Sequence, residues 1–159
     1  MASEADHIAL PNKNHDALVH LLSAGGGTVH AEWICVIAFY KAVHVAEAVF
    51  ANQLNQHSNC HDDRLDRLKM ARFSELFKAF RPLYCASMVA RYLVDSGQMK
   101  VDPAFKKSQK YSCFTDYMPA ADVKKKLLKN RLKVLEDHAV SLLSADAATR
   151  LKRIGNELT

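Results

Sequence analysis

The stretch "WICVIAFYKAVHVAEAVFANQLNQHSNCHDDR", Trp33 to Arg64, decides the fold. It opens as an almost wholly apolar run, admits Lys41, His44 and Glu47 near its middle, and breaks into a polar segment holding His57, Cys60, His61, Asp62, Asp63 and Arg64. No proline or glycine interrupts it from about Glu32 to Gln53. Trp33, Ile37, Tyr40, His44, Ala48 and Ala51 recur three and four apart, on one stripe of a helix, while Val36, Phe39, Val43 and Phe50 cover an adjacent stripe. A helix apolar around so much of its circumference is expected at the centre of a bundle. Ser58 or Asn59, followed by Asp62 and Asp63, predicts the next helix start, because short polar side chains cap and acids suit the positive end of the helix dipole.

Outward from this centre the periodicity stays helical. A short amphipathic piece, Asp16 to Ser23, ends at Gly25-Gly26-Gly27, a hinge rather than a phosphate loop, since no strand precedes it and no GK[ST] follows. A helix over about Ser74 to Ser96, with Pro82 near a junction, carries Phe77, Phe80, Tyr84, Met88 and Tyr92 and stops at Gly97. Residues 98–118 are irregular, basic and aromatic. Pro119 opens a long helix through about Ser144 with Leu128, Leu132, Leu135, Ala139 and Leu142 as its buried stripe, and Ser144 or Asp146 caps a last short helix to Asn156. With no alternating strand pattern and no internal repeat, the expected class is all-α: a single-domain, up-and-down-like bundle of four to six helices. Its parts are an amino-terminal arm and short helix (1–30), central helices (31–97), a basic loop (98–118) and carboxy-terminal helices (119–159).

Composition supports one such domain, since 159 residues at 49% apolar can bury a sizeable core. The amino end, "MASEADHIALPNKNHD", is polar and acidic, unlike a secretory leader, and a cytoplasmic protein is expected. The longest apolar run, Ile34 to Tyr40, is far short of the ~20 residues that span a bilayer, so no membrane segment is expected. Cys35, Cys60, Cys85 and Cys113 are scattered, in neither CxxC pairs nor a dense framework, and read as reduced thiols. The net charge of +5 is concentrated: Gln98 to Lys133 holds ten bases against three acids, leaving the remainder with twelve bases against fourteen acids. Such a strip is either a solvated helix face or a phosphate-binding track, for which Lys106, Lys107, Lys110, Lys124 and Lys125 are the candidates.

Three segments, "EWICVIAFYKAVHVAEAVF", "HSNCHDDRLDRL" and "FRPLYCASMVARYL", together resemble HEPN-type (higher eukaryotes and prokaryotes nucleotide-binding) helical domains. In those a central helix runs Trp, apolar, Tyr, Ala, His, apolar, Glu or Asp, Ala, and a loop with Ser, His and Arg precedes the next helix. The resemblance covers about Glu32 to Asp95 and fades in the basic loop. It implies a homodimer with a cleft at the interface, used for RNA binding or RNA cleavage, with ribonuclease members carrying an Arg shortly before a His on a late helix. Here that pair corresponds to Arg131 and His138, although the residue after the Arg, usually polar, is Leu132. It also marks Tyr40, His44 and Glu47, with His61 and Arg64 beside them, as a supporting group.

Metal-independent RNA cleavage needs a base of near-neutral pKa for the 2′-hydroxyl and a cation for the developing phosphorane charge, and His138 and Arg131 have those properties. Seven positions along an α-helix return to nearly one azimuth. His44, one turn from both Tyr40 and Glu47, predicts a hydrogen-bonded line that serves either a site or a satisfied core. His57, Cys60 and His61 with Asp62 and Asp63 are zinc-ligand types, but no second Cys or His pair lies nearby and the acids suit the helix start, so no metal and no cofactor is expected. Two function classes follow: an RNA-binding module, in its sharper form a metal-independent endoribonuclease acting as a homodimer, or a catalytically inert helical interaction or nucleotide-binding module.

Overall fold

A computed structural model describes residues 4–24, 28–94, 110–155 and 158. The protein is an all-α bundle. Helix α1 (Glu4–Ser23) and α2 (Ala31–Leu54) form the first hairpin, α3 (His61–Leu68) and a 3₁₀ turn (Ala71–Phe73) lead into α4 (Ser74–Tyr92), and α5 (Phe114–Tyr117) is a single turn. The last long helix changes its winding along its length: α6 (Ala120–Asp122), a π-wound segment (Val123–Leu132) and α7 (Lys133–Val140). It is followed by α8 (Ala145–Arg150). No strand occurs among the described residues; Val94 and Lys110 make one isolated antiparallel bridge.

Helix α2 is central, as its composition predicts. Ile34, Cys35, Ala38, Phe39, Ala42, Val45, Ala46, Ala48, Val49 and Phe50 are all inaccessible to solvent or nearly so. The stripe through Trp33, Ile37, Tyr40 and His44 differs from expectation. Among the described residues it is the side of α2 left open, with Trp33 64% exposed and Tyr40 exposed, because α1, α4 and the last long helix occupy the other sides. Apolar enough by length and composition to cross a bilayer, α2 is instead mostly buried inside the bundle. It ends at Asn55, whose φ of 51° is the left-handed cap conformation that Asn tolerates well.

Helix α1 is much longer than the Asp16 to Ser23 piece read from sequence. Its buried side, Ile8, Pro11, His15, Leu18 and Leu22, keeps the three-and-four spacing, but a proline and a histidine stand in it where aliphatic residues are usual. Pro11 removes one backbone donor within the helix. Pro82 likewise sits inside α4 rather than at a junction, and α4 stops four residues early, at Tyr92, with Leu93 left-handed at φ 55°. Of its predicted apolar stripe Phe80 is buried, Phe77, Tyr84 and Met88 are half-buried, and Tyr92 is 58% exposed. In the last long helix Leu128, Leu132, Leu135 and Ala139 are buried as expected. Ser144 caps α8 by accepting from the Ala147 amide at 3.2 Å. The triple-glycine hinge lies outside the described residues.

A charge lies at the heart of the bundle. Lys41 of α2 is 0% exposed and pairs with Glu136 of α7, also 0% exposed. Its ammonium donates to the Lys152 carbonyl at 2.8 Å and meets His15 Nδ1 of α1 at 3.2 Å. Glu136 in turn accepts from the Ile154 amide at 2.8 Å. Burial pushes the Glu136 carboxyl up, against the pull of Lys41. Further polar ties close the ends of the chain on each other: the Ser144 amide donates to Glu4, Asn12 bonds the Arg150 carbonyl and the Lys152 amide, and Lys152 pairs with Asp16 at 2.8 Å.

Removing one partner of a desolvated ion pair strands the other charge, whereas removing both avoids that cost. Lys41→Met or Glu136→Gln alone should lower stability by about 3–5 kcal/mol. Lys41→Met with Glu136→Leu should lose less than either single variant in urea titrations. A double variant as unstable as the sum of the singles would show that the two residues act independently.

Candidate functional site

Polar side chains converge at one end of α2. Glu47, 5% exposed, holds the segment that follows α2: its carboxylate accepts from the Ser58 amide at 3.0 Å, from the Ser58 hydroxyl, and from Arg64 Nε at 2.8 Å. Arg64 is buried beneath α3 and donates from Nη1 to His61 Nδ1 at 2.7 Å. The start of α3 carries its acids as expected, with Asp63 accepting from the Asn59 amide at 2.8 Å, but its N-cap is Cys60 without a side-chain cap bond rather than Ser58 or Asn59, because the Ser58 hydroxyl is taken by Glu47. The bond from Asn59, then Arg67, holds the Asp63 carboxyl below the usual carboxylate range. Glu47 therefore fixes Arg64, and Arg64 fixes His61.

Around His61 the walls are aromatic. Its ring centroid lies 5.4 Å from Phe39 of α2 and 5.9 Å from Tyr84 of α4. Arg91 of α4 packs its guanidinium 5.7 Å from the Tyr40 ring and 5.0 Å from Tyr92, donates to the Tyr40 hydroxyl at 3.3 Å, and is anchored by the Ser87 carbonyl at 3.1 Å. On the other side, His57 Nδ1 lies 3.0 Å from His7 Nε2 of α1 and 3.9 Å from Glu47.

Three of these imidazoles are disposed to stay neutral. Burial lowers the pKa of His61, with Arg64 and Arg91 adding to the effect; burial, then the His57 charge, lowers His7; burial, then His7 and Arg64, lowers His44. With Nδ1 accepting from Arg64, a neutral His61 carries its hydrogen on Nε2; that tautomer is assigned from the bond. The group thus offers donors, Nε2–H of His61 and the guanidinium of Arg91, and suits an anion better than a proton-accepting role.

Of the residues singled out in the sequence, Glu47, His61 and Arg64 are brought into contact and Tyr40 joins them through Arg91 and the Phe39 ring. The line Tyr40, His44, Glu47 is not hydrogen-bonded as expected, because Tyr40 turns to Arg91 and Glu47 turns to Ser58 and Arg64. Arg131 and His138 are exposed and are not joined to each other or to this group. The winding is π up to Leu132, the Lys133 amide reaching back five residues to Leu128, so the step from Arg131 is not one of pure α geometry. His138 lies toward Glu75 of α4, whose carboxyl is held low by Lys78 first and by His138 in small part. Lys110 and Lys125 are exposed and Lys124 is half-buried, whereas Lys106 and Lys107 lie outside the described residues.

Arg91, Tyr84 and His7 are the members that sequence reasoning missed. Tyr84, Ser87 and Arg91 stand three and four apart on α4, a polar line inside a segment read only for its aromatics. His7 carried no signal, since the chain before Asp16 was not read as helix. Among the described residues no group of three or more His, Cys, Asp or Glu side chains could hold a metal ion; His57 faces His7, His61 faces Arg64, and Cys60 is exposed. No family model matches the chain, and neither a curated protein nor a solved structure matches it.

A histidine whose folded pKa is depressed binds fewer protons folded than unfolded once the pH falls below its unfolded value of about 6.5. Stability is then full above that pH and lost as pH falls through the lower folded values of His7, His44 and His61. Thermal melts from pH 8 to 5 should show the midpoint steady above about pH 6.5 and falling below it. The fall should be smaller in His44→Leu. A midpoint that rises on acidification in this window would contradict the directions given.

Proposed function

We propose that the protein is a HEPN-type RNA-binding module that receives an RNA phosphate at His61, Arg64 and Arg91. The observation that carries this reading is the built character of the group: a buried carboxylate orients a buried guanidinium, which orients an imidazole whose free nitrogen is a donor beside a second guanidinium. A structural ion pair alone needs Glu47 and Arg64. It does not need His61 fixed in one tautomer or Arg91 held among aromatic rings at the surface. Lys110 and Lys125 add positive charge to the fold, and such charge strengthens phosphate binding in a salt-dependent way.

Cleavage is the sharper form of this proposal and rests on other residues. Arg131 and His138 are open to a substrate and are not joined to each other among the described residues, and a second copy in a homodimer would bring a second such pair to their cleft. In that arrangement His138 takes the 2′-hydroxyl proton as the 2′-oxygen attacks the adjacent phosphorus, Arg131 meets the phosphorane charge, and the P–O5′ bond breaks with the 5′-oxygen taking up a proton, leaving a 2′,3′-cyclic phosphate.

Binding of labelled RNA, followed by anisotropy, should weaken steeply with salt, and Arg91→Gln should reduce affinity about tenfold with helical content unchanged. In chelator, His138→Ala should retain binding while losing cleavage. Wild-type protein that binds no RNA at micromolar concentration returns the chain to an inert helical interaction module. RNA that is bound but never cut removes the ribonuclease and leaves the binding reading.

A further inference from the structure

The open side of α2 is unusual for a helix so thoroughly buried elsewhere. Trp33, Ile37 and Tyr40 follow one another along it over about 10 Å, and Trp33 is the chain's one tryptophan. Where the line reaches Tyr40 it meets Arg91 and Tyr92 of α4, the guanidinium lying against both rings, with His44 one turn further on and His61 across the Phe39 ring. Aromatic faces thus flank the Arg91 guanidinium, with the neutral imidazole of His61 beyond the Phe39 ring. None of Trp33, Tyr40 and Tyr92 is buried, although each is large enough to add well to a core.

We infer that the surface formed by Trp33, Tyr40 and Tyr92 around Arg91 is a base-stacking platform adjoining the His61 phosphate site, so that the ligand is single-stranded RNA with unpaired bases. This rests on the RNA reading above and narrows its substrate class. Unpaired bases offer π-faces that aromatic side chains and guanidinium planes can cover, and the negative backbone beside them suits Arg91 and His61. A duplex keeps its bases stacked on each other and offers this surface only its backbone. The alternative occupant, a second copy of the chain, fits less well. A twofold contact centred on this patch would set Arg91 of each copy against its own counterpart, like charges across a desolvated seam.

The test uses the full chain with fluorescein-labelled oligoadenylate, single-stranded or annealed to oligouridylate, and follows Trp33 emission alongside anisotropy. The single strand should bind at least about fivefold more tightly than the duplex and quench Trp33, the size expected from losing stacking on one or two bases. Trp33→Ala, which leaves the rings around Arg91 in place, should abolish that preference in anisotropy and leave duplex affinity unchanged. Equal binding of the two forms with Trp33 emission unmoved overturns the platform while leaving the phosphate site. Absence of binding to either form overturns both. Trp33 emission that shifts with protein concentration in the absence of RNA assigns the stripe to a second copy and likewise overturns the inference.

Discussion

A lysine ammonium enclosed at the middle of the central helix is the constraint around which the bundle is arranged. Away from water it must be paired, and its partners come from three other parts of the chain: Glu136 of α7, His15 of α1 and the Lys152 carbonyl beyond α8. Apolar packing brings helices together with some freedom to slide and rotate, whereas this ammonium accepts few relative positions. The net energetic worth of the pair against two well-packed apolar residues is small; its effect lies in fixing which faces of α1, α2 and α7 meet.

With those sides committed, α2 has one side open. Further along the same helix a second buried charge, Glu47, organises what comes after it. Beside these two anchors stand Tyr40 and His44, with Lys41 turned inward and Tyr40 outward at neighbouring positions. A single element thus carries the tie that specifies the fold and the tie that sets the polar group at its edge. Helical periodicity separates the two, because residues one apart point about 100° away from each other.

How much of this can be read from sequence depends on whether a residue's neighbours repeat with the helical period. The all-α class, the extent of α2 and the Leu128, Leu132, Leu135, Ala139 stripe were plain for that reason, and so was the start of α3 at its acids. The first half of α1 was not, since Pro11 and His15 occupy its buried side and both count as polar or breaking signals. Which side of α2 faces water was also beyond reach, because apolar residues surround it and only its neighbours decide. Glu47, His61 and Arg64 were legible as a group from their unusual position beside an apolar helix. Arg91 comes from a distant helix, and its place among Tyr40 and Tyr92 follows from how α2 and α4 pack.

The bonds joining α1 to the segment around α8 bear on how the molecule comes into being. Glu4 reaches Ser144, and Asn12 and Asp16 reach Lys152, so the first helix made on a ribosome takes its last partners from residues made some 140 positions later. At a synthesis rate of about 5–20 residues per second, Ile8, Leu18 and Leu22 can pack on α2 within seconds, but His15 and Lys41 wait until Glu136 and Lys152 have left the exit tunnel. The enclosure of Lys41 is therefore complete only once both ends of the sequence have been made.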